Sequence, residues 1–368
     1  MIVIVGALAQ PQLRQALCLM GTPVRVPGAL TGGARAGIVR DGWPQLTAAR
    51  GYVTGLAVPQ TPQLDRYAAV MGLVAQTVGG MQVMGIASGS SGDHAPVDDH
   101  DGIAAEIALQ ILQAPVETDA ALLAWRLPMM GTWAASRVRA RAMAPSGQGI
   151  VPLRPADSLR TLQRSQPFLG FFGVERQVLT HALHQGGQTA DITREAFLSG
   201  DAAVMLPWDP VRDRVLVIEQ FRMAPALRGD PQPWLLEPIA GRIDAGETPE
   251  AAILREAQEE AGLTVKRLFA AFHAYPSPGA LCEFLYHYVG IADLPDGCAG
   301  IHGLDAEAED IRGHLLDRAR LSALVDAGQV ANGPLATLSL WLDARADRML
   351  AQLQAAGRGC PSNPGAYR

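Results

Sequence analysis

The sequence predicts a mixed α/β (α+β) fold in two domains, and three observations support this prediction. The chain has 368 residues, which exceeds the usual size of a single domain. Hydrophobic residues make up 48% of the chain, enough for sizeable buried cores. The second half runs in the order strands, one acidic helix, strands and then helices, an order typical of mixed folds.

The composition argues against nucleic-acid and membrane partners. The formal net charge is -6, whereas neutralising phosphates requires clustered Lys and Arg. No apolar run approaches the ~20 residues that cross a bilayer, and the opening MIVIVGALAQ lacks the basic start of a signal peptide. We expect a cytoplasmic protein with reduced cysteines, because their spacing shows no pairing: Cys18, Cys282, Cys298 and Cys360.

Turn-rich sequence divides the chain into a first domain at 1–143, a linker at 144–164, a second domain at 165–355 and a tail at 356–368. The linker is assigned because APSGQGIVPLRPADS is rich in Pro, Gly and Ser. We see no internal repeat, so each domain is expected to have its own core.

In the first domain, apolar runs alternate with turn residues. Buried strands are predicted for MIVIVGALA and GYVTGLAV, and a short helix for PQLRQALCLMG. The polar stretch ASGSSGDHAPVDDHDG reads as a loop. Its His94, His100 and Asp residues either bind a transition metal or form a mobile acidic tip. Two helical patterns follow, IAAEIALQILQ and DAALLAWRLPMMGTWAASRVRARAMA.

The second domain opens with strand-like sequence, FLGFFGVERQVLTHAL, and two further strands surround an Asp-Pro turn in AAVMLPWDPVRDRVLVIEQFRM. A helix is predicted from Pro249 to Ala261, because Pro suits a first helical turn and Gly262 suits the position after the last. VKRLFAAFHAY and EFLYHYVGIADL are strand-like again, and two amphipathic helices close the domain.

The predicted helix concentrates negative charge on one face. Glu256 and Glu260 are four residues apart, Glu259 is three from Glu256, and Arg255 is the only cation in the helix. A charge run is ordinarily a solvated face, but such a face normally interleaves Lys or Arg. Clustered carboxylates become favourable when a hard divalent cation binds, because Mg²⁺ prefers oxygen ligands. We therefore expect a metal site on this helix.

The spacing of this segment resembles the Nudix box, G-x5-E-x7-R-E-U-x-E-E-x-G-U, in which U is aliphatic. The resemblance implies a Nudix hydrolase, an α/β/α sandwich that cleaves a nucleoside diphosphate linked to another group. Ala257 occupies the first aliphatic position, a mild departure that concerns packing. Every fixed letter of the pattern is present: Gly241, Glu247, Arg255, Glu256, Glu259, Glu260 and Gly262.

The resemblance also implies roles for the box residues. Glu256 and Glu260 would be the main ligands of Mg²⁺, or alternatively of Mn²⁺, together with the backbone carbonyl of Ala240. The cation would neutralise the pyrophosphate and lower the pKa of a bound water. The other residues would assist, Glu259 in catalysis and Arg255 by pairing with Glu247 to orient the helix.

Sequences around the box resemble the ADP-ribose pyrophosphatase family over about residues 165–350. They are VLVIEQFRMAP, PWLLEPIAGRIDAGE, YPSPGALCEFLY and GLDAEAEDIRGHLL. The family has a Ser-Pro-Gly after the box, which here is Ser277, Pro278 and Gly279, and these residues would contact the substrate. Ala280-Leu281 follows where the family often has a second Gly or Thr, a departure that concerns specificity for the sugar.

Further roles implied by this family lie outside the box. By alignment with EAED, Glu307 would be the general base and Glu309 a further metal ligand; otherwise both are ordinary loop acids. Arg222 would contact the phosphates through its guanidinium fork, or else form a surface ion pair. Glu237 and Glu283 would hold ribose or adenosine hydroxyls.

The implied activity is hydrolysis of ADP-ribose to AMP and ribose 5-phosphate, with a small-molecule nucleotide as the binding partner. Family members are commonly homodimers, and FLGFFGVERQVLTHAL occupies the place of their dimerising strands. Two alternatives stay open. One is a Nudix hydrolase for another nucleotide-sugar or dinucleotide, and the other is a ligand-binding sensor with vestigial hydrolysis. The intact box argues against the sensor.

MIVIVGALAQPQLRQAL, WPQLTAARGYVTGLAV and LDRYAAVMG resemble the γ-glutamylcyclotransferase-like fold, a small mixed barrel. The loop Tyr-Gly-Ser/Thr-Leu of that family is Val5-Gly6-Ala7-Leu8 here, and Ala68 stands in the position of its catalytic glutamate. Without that carboxylate the acid/base step has no candidate, so we expect an inactive domain. The pairing with a Nudix domain resembles bacterial proteins associated with tellurite resistance.

Overall fold

The computed structural model describes residues 1–89, 92, 97, 99–145, 147, 149–303 and 310–358. Both helices and strands occur throughout, so the predicted mixed α/β (α+β) class is confirmed. In this part of the chain, no helix is long and apolar enough to cross a membrane. The chain divides into two compact units, the first formed by 1–201, 243–247 and 277–283, the second by 202–242, 248–276 and the residues from 284 onward.

The described residues contain seventeen strands. In chain order they are β1 (Ile2–Ile4), β2 (Thr22–Thr31), β3 (Gln45–Val58), β4 (Gln76–Val78), β5 (Met81–Met84), β6 (Leu159–Leu169), β7 (Gly173–His181), β8 (Ile192–Leu198), β9 (Ala202–Asp209), β10 (Arg214–Phe221), β11 (Trp234–Glu237), β12 (Ile239–Arg242), β13 (Arg267–Ala274), β14 (Leu281–Cys282), β15 (Leu285–Ile291), β16 (Ile301–His302) and β17 (Ile311–Asp317).

The helices fall into an N-terminal group, one central helix pair and a C-terminal group. They are α1 (Pro11–Ala16), α2 (Pro62–Met71), α3 (His100–Gln113), α4 (Ala120–Trp125), α5 (Leu127–Ala142), α6 (Met223–Arg228), α7 (Pro249–Ala261), α8 (Arg318–Asp326), α9 (Gly333–Asp343) and α10 (Ala346–Arg358). Two short 3-10 turns occur at Gly6–Ala9 and Ala156–Ser158.

The N-terminal sheet of the first unit is open. Its strand order is β2-β3-β1-β5-β4, with β1 antiparallel to β3 and parallel to β5. A barrel would require its edge strands, β2 and β4, to pair with each other. They do not pair among the described residues, so the small barrel implied by the resemblance is not formed. Ile4, Tyr67, Ile107 and Trp133 share one buried core between this sheet and its helices.

A second sheet of the first unit is ordered β14-β8-β7-β6. β6 begins at Leu159, so the last residues of the linker expected at 144–164 are strand. The reason is that LRTLQR has no turn formers and pairs antiparallel with β7, from Leu159 opposite His181 onward. These strands group with the N-terminal residues, whereas the sequence placed everything from 165 in the second domain.

The second unit contains a sheet ordered β13-β15-β9-β10-β17-β16, with β11 paired to β10 and β12 to β9. Val204, Leu206 and Trp208 alternate along β9 and pack in one core with Leu335 and Leu338 of α9. Helix α7 contacts β9 and β12. Residues of β9 that alternate with those three, such as Met205, point to the opposite face and are fully buried. Helices therefore cover the sheet on both faces.

Candidate active site

Helix α7 has the bounds that the sequence predicts, and its ends show why. Pro249 is its first residue, and the Thr248 hydroxyl caps it by accepting a hydrogen bond from Ala251 N at 3.1 Å. Gly262 ends it with φ +60°, a left-handed conformation that favours glycine. The cap at Thr248 was missed, although Thr before Pro-Glu is a typical start signal. The predicted helix is confirmed.

Two carboxylates of α7, one helical turn apart, lie against the same stretch of β12. Glu260 is 3% exposed, and its Oε2 accepts a hydrogen bond from Ala240 N at 3.0 Å. Glu256 lies over the next residue, Gly241, where an added Cβ would be 1.8 Å from its Oε1. Any larger residue at 241 would therefore collide with Glu256. The fixed glycine of the box is explained by this close approach, a role that spacing alone did not show.

Arg255 holds the neighbouring acids together. Its Nη1 donates to Glu256 Oε1 at 2.8 Å and to Glu259 Oε2 at 2.9 Å, and its Nη2 donates to the Arg242 carbonyl at 3.3 Å. All three charged side chains are at most about one-third exposed. The repulsion expected from the sequence is thus offset in part by Arg255. Its expected pairing with Glu247 stays a prediction; Glu247 Oε2 accepts a hydrogen bond from Asp244 N at 3.3 Å.

The donor chemistry of this site suits a hard divalent cation. Among the described residues, no group of three or more His, Cys, Asp and Glu is close enough to enclose a metal ion. Glu256 and Glu260 instead meet at one backbone segment, Ala240–Gly241, with no nitrogen or sulfur side-chain ligand in the set. Mg²⁺ typically uses one or two carboxylates and completes its shell with water and phosphate oxygens. The residues present therefore fit Mg²⁺ or Mn²⁺, while the Ala240 carbonyl as a ligand stays a prediction.

The structure brings two predicted substrate residues together as a pair. Arg222 donates to both carboxylate oxygens of Glu237, from Nε at 3.1 and 2.9 Å and from Nη2 at 2.6 Å. The Glu237 side chain is 5% exposed and that of Arg222 is 41% exposed. A buried carboxylate requires such a partner. Glu237 therefore orients Arg222, a relation that their separation in sequence did not reveal.

The Ser-Pro-Gly segment and Glu283 belong to the first unit, whereas α7 belongs to the second. Ser277, Pro278 and Gly279 are exposed, and Glu283 Oε1 accepts a hydrogen bond from the Ser199 hydroxyl at 2.9 Å. Pro278 and Gly279 line a cleft of about 640 Å³ in the first unit. The cleft is rich in guanidinium groups, which suit anionic ligands: Arg137, Arg141, Arg164 and Arg194.

Glu307 and Glu309, the expected base and further metal ligand, lie outside the described residues. His94 also lies outside them. His100 is the first residue of α3, and its Nδ1 lies 3.4 Å from Asp101 Oδ1. Of the predicted site, the structure thus assembles the box glutamates with Ala240 and Arg255, and separately Arg222 with Glu237.

Sequence reasoning missed the polar contacts of β15 next to α7. The Tyr288 hydroxyl donates to Glu250 Oε1 at 2.8 Å, and burial raises the pKa of Tyr288 far above its ordinary value. Burial lowers the pKa of His287 to about 4, so this ring is neutral at pH 7, where it stacks on Phe272 at 4.1 Å between centroids. YHY in EFLYHYVGIADL was the available signal, since polar aromatics in an otherwise buried strand need partners.

Substituting Gly241→Ala is expected to weaken Mn²⁺ binding about 10- to 100-fold, because the new methyl group displaces Glu256 from its position over β12. Titration of Mn²⁺ followed by electron paramagnetic resonance measures this affinity. Gly333→Ala is the matched control, since nothing lies within 4 Å of a Cβ added there. Equal Mn²⁺ affinity in the two variants would contradict the role assigned to Gly241.

Comparison with known proteins identifies relatives of the second half of the chain. A NUDIX domain is matched at residues 199–328. The ADP-ribose pyrophosphatase of Escherichia coli (strain K12) is 40% identical over 186 residues, which is 50% of this chain and 88% of that protein. The ADP-ribose pyrophosphatase of Haemophilus influenzae is 39% identical over 176 residues, 47% of this chain and 80% of that protein.

Two further similarities are weaker. The GDP-mannose pyrophosphatase of Citrobacter koseri is 29% identical over 182 residues, which is 50% of this chain and 94% of that protein. A crystal structure of an ADP compounds hydrolase is 18% identical with a TM-score of 0.40, and covers 52% of this chain and 98% of that chain. Because relatives at 40% and 39% identity are matched over most of their length, the chain belongs to the ADP-ribose pyrophosphatase family of NUDIX-domain proteins.

Proposed function

We propose that this protein hydrolyses the pyrophosphate bond of ADP-ribose, or of a related ADP-sugar, to release AMP and, from ADP-ribose, ribose 5-phosphate. The observation that supports this best is the placement of Glu256 and Glu260 on the Ala240–Gly241 backbone. Two oxygen donors in that arrangement suit a cation that also binds pyrophosphate oxygens. The relatives named ADP-ribose pyrophosphatase supply the choice of nucleotide.

Glu256 and Glu260 would hold Mg²⁺, with the Ala240 carbonyl and Glu309 as further ligands and Mn²⁺ as an alternative ion. When bound, the cation supplies charge neutralisation of the pyrophosphate and a more acidic water. Glu259 would assist in catalysis, and Glu307 would accept the proton of the attacking water. Arg255, which bonds Glu256 and Glu259, keeps both carboxylates oriented before substrate arrives.

Substrate recognition would involve Arg222, the Ser-Pro-Gly segment, and the two glutamates predicted to bind hydroxyl groups. Arg222, oriented by the buried Glu237, would face the phosphates, because a guanidinium held on one edge by a carboxylate loses little further freedom on binding. Ser277, Pro278 and Gly279 would contact the nucleotide, and Glu237 and Glu283 would hold its hydroxyls. The arginine-rich cleft that Pro278 and Gly279 line has the volume of a nucleotide-sized ligand site.

Purified protein with Mg²⁺ is expected to release AMP from ADP-ribose, measured by chromatography. Glu256→Gln and Glu260→Gln should each lower kcat about 100-fold or more, because an amide binds a divalent cation poorly. Glu117→Gln, an exposed glutamate outside the box, is the matched control and should retain wild-type turnover. Full activity in both box variants would refute the metal assignment.

A nucleotide-sugar other than an ADP-sugar is the second candidate substrate. It is favoured by the similarity to GDP-mannose pyrophosphatase at 29% identity. The same assay with GDP-mannose, ADP-glucose and dinucleotides distinguishes the candidates by kcat/KM. A sensor with vestigial hydrolysis would bind a nucleotide and release no product from any of these compounds.

The first domain, at 1–143, is proposed to be a degenerate γ-glutamylcyclotransferase-like domain, as in bacterial proteins associated with tellurite resistance. Ala68, where that family has its catalytic glutamate, is 4% exposed within the hydrophobic core. A carboxylate there would be buried in a hydrophobic cluster, at high cost. No release of 5-oxoproline from γ-glutamyl peptides is expected; its detection in a colorimetric or chromatographic assay would overturn this proposal.

We propose that the protein acts as a cytoplasmic homodimer. The argument is the family resemblance of FLGFFGVERQVLTHAL, which runs from the end of β6 through β7, together with the exposed side chains of Phe168 and Phe171 on this segment. Exposed large aromatic groups are common at protein interfaces. Light scattering is expected to give twice the chain mass, and a monomeric mass across the measurable concentration range would contradict the dimer.

A further inference from the structure

Five residues of the Nudix box do not belong to the same compact unit as the rest of it. These are residues 243–247, here called the box loop, which group with residues 1–201. The loop is covalently placed between β12, where Glu260 and Glu256 rest, and the Thr248 cap that begins α7. Contacts that fix the position of the box loop therefore affect the position of the first turn of α7.

The most direct contact with the box loop comes from Arg35, more than two hundred residues earlier in the chain. Its Nη2 donates to the Ala245 carbonyl at 2.8 Å. Ala245 itself is 8% exposed and belongs to the same buried cluster as Met130 and Trp133. On α5, Gly131 allows this approach, since a Cβ added there would lie 3.2 Å from the Ala245 Cβ. The centre of the loop is thus fixed by a hydrogen bond and by packing.

The start of the box loop is held by a second anchor. Ile243 N donates to the Asp201 carbonyl at 3.1 Å, which extends the pairing of β12 with β9 by one residue. Asp201 is 3% exposed, and its carboxylate accepts from the Ser136 hydroxyl at 2.6 Å and from Arg139 Nε at 2.8 Å. Both donors lie on α5. A buried carboxylate bonded on both oxygens has little freedom, so its backbone is a rigid support.

The end of the loop leads directly into the catalytic helix. A turn between Asp244 and Glu247, closed by Glu247 N donating to the Asp244 carbonyl at 3.0 Å, brings the chain to the Thr248 cap. The box loop, held at Ile243 and at Ala245, thus leads directly into the Thr248 cap. Displacing reacting groups by about 1 Å can cost about 100-fold in rate, so this constraint matters for the Glu256 and Glu260 carboxylates.

We propose that Arg35 is a positioning residue for the hydrolytic site, and that residues 1–143 serve to hold the box loop. The proposal rests on the proposed function for its rate effects. Its anchors Arg35, Gly131, Ser136 and Arg139 all precede the matched NUDIX domain at 199–328. The loss of the acid/base glutamate at Ala68 is compatible with this role, because a support needs packing and donors and no catalytic group.

The test compares Arg35→Ala with Arg66→Ala in the full chain. Arg66 makes the same kind of contact, donating to the carbonyls of Ile111, Ala114, Pro115 and Val116, but none of these is in the box loop. It is therefore a matched control for loss of an arginine that binds backbone. Three measurements apply: hydrogen exchange of peptides covering 243–247, Mn²⁺ titration by electron paramagnetic resonance, and kcat with KM for ADP-ribose.

Arg35→Ala is expected to speed exchange across the box loop about tenfold, weaken Mn²⁺ binding about tenfold, and lower kcat about 10- to 100-fold with KM changed less than about twofold. Arg66→Ala should lower the melting temperature and leave the other quantities near wild type. Arg35→Lys keeps a donor of shorter reach and should give values between those of the wild type and Arg35→Ala. If Arg35→Ala fails to fold, the same measurements on Arg35→Lys test the proposal, with Arg66→Lys as the matched control.

Unchanged exchange and unchanged Mn²⁺ affinity in Arg35→Ala would overturn the proposal, as would equal changes in Arg66→Ala. Exchange and Mn²⁺ binding are measured without substrate. If the wild-type protein does not cleave ADP-ribose, the proposed function fails, while these two measurements still judge the role of Arg35.

Discussion

The contact between two carboxylates of α7 and the backbone of β12 is the constraint on which the site depends. Glu260 is buried and is bound by the Ala240 N–H, while Glu256 occupies space that only glycine at 241 leaves open. Both contacts tie helix α7 to two neighbouring residues of β12, Ala240 and Gly241. The same contacts set the positions of the two carboxylates that are proposed to hold the cation.

The negative charges of the α7 glutamates are partly balanced by a neighbouring arginine. Arg255 bonds Glu256 and Glu259 and reaches the Arg242 carbonyl, so one cation offsets two acids and ties the helix to the end of β12. Elsewhere in the same unit Glu237 and Arg222 form a second partly buried pair. Removing one partner of such a pair leaves an uncompensated charge, which costs more than the pair itself contributes. These arginines therefore have an orienting role alongside any contact with substrate.

The box is divided between the two compact units, because residues 243–247 group with the N-terminal residues. Ala245 is packed in the N-terminal core and bonded by Arg35, and Asp201 is clamped by Ser136 and Arg139 of α5. Relatives of this family align with half of the chain. Residues before the matched NUDIX domain at 199–328 contribute a core, an open sheet and the donors that contact the box loop and Asp201.

Several elements follow from sequence because their causes are local. Pro249 and Gly262 mark the ends of α7, and the strands around the Asp-Pro turn form as β9 and β10, since caps, turns and alternation act between near neighbours. The linker prediction ran past the start of β6, because that strand is stabilised by pairing with β7, which no local pattern reports. The barrel expectation failed for the same reason: closure depends on whether β2 and β4 meet.

For the site, the spacing of Glu256, Glu259 and Glu260 determined that these acids share one face of a helix, and the resemblance of the segment to the Nudix box implied the reaction class. Tertiary structure decided which groups hold those acids. Gly241 under Glu256, Glu237 behind Arg222, and Arg35 on Ala245 each join residues separated along the chain. Such partners are set by packing and by the need to satisfy buried charges and carbonyls, and these constraints exist only once the chain is folded.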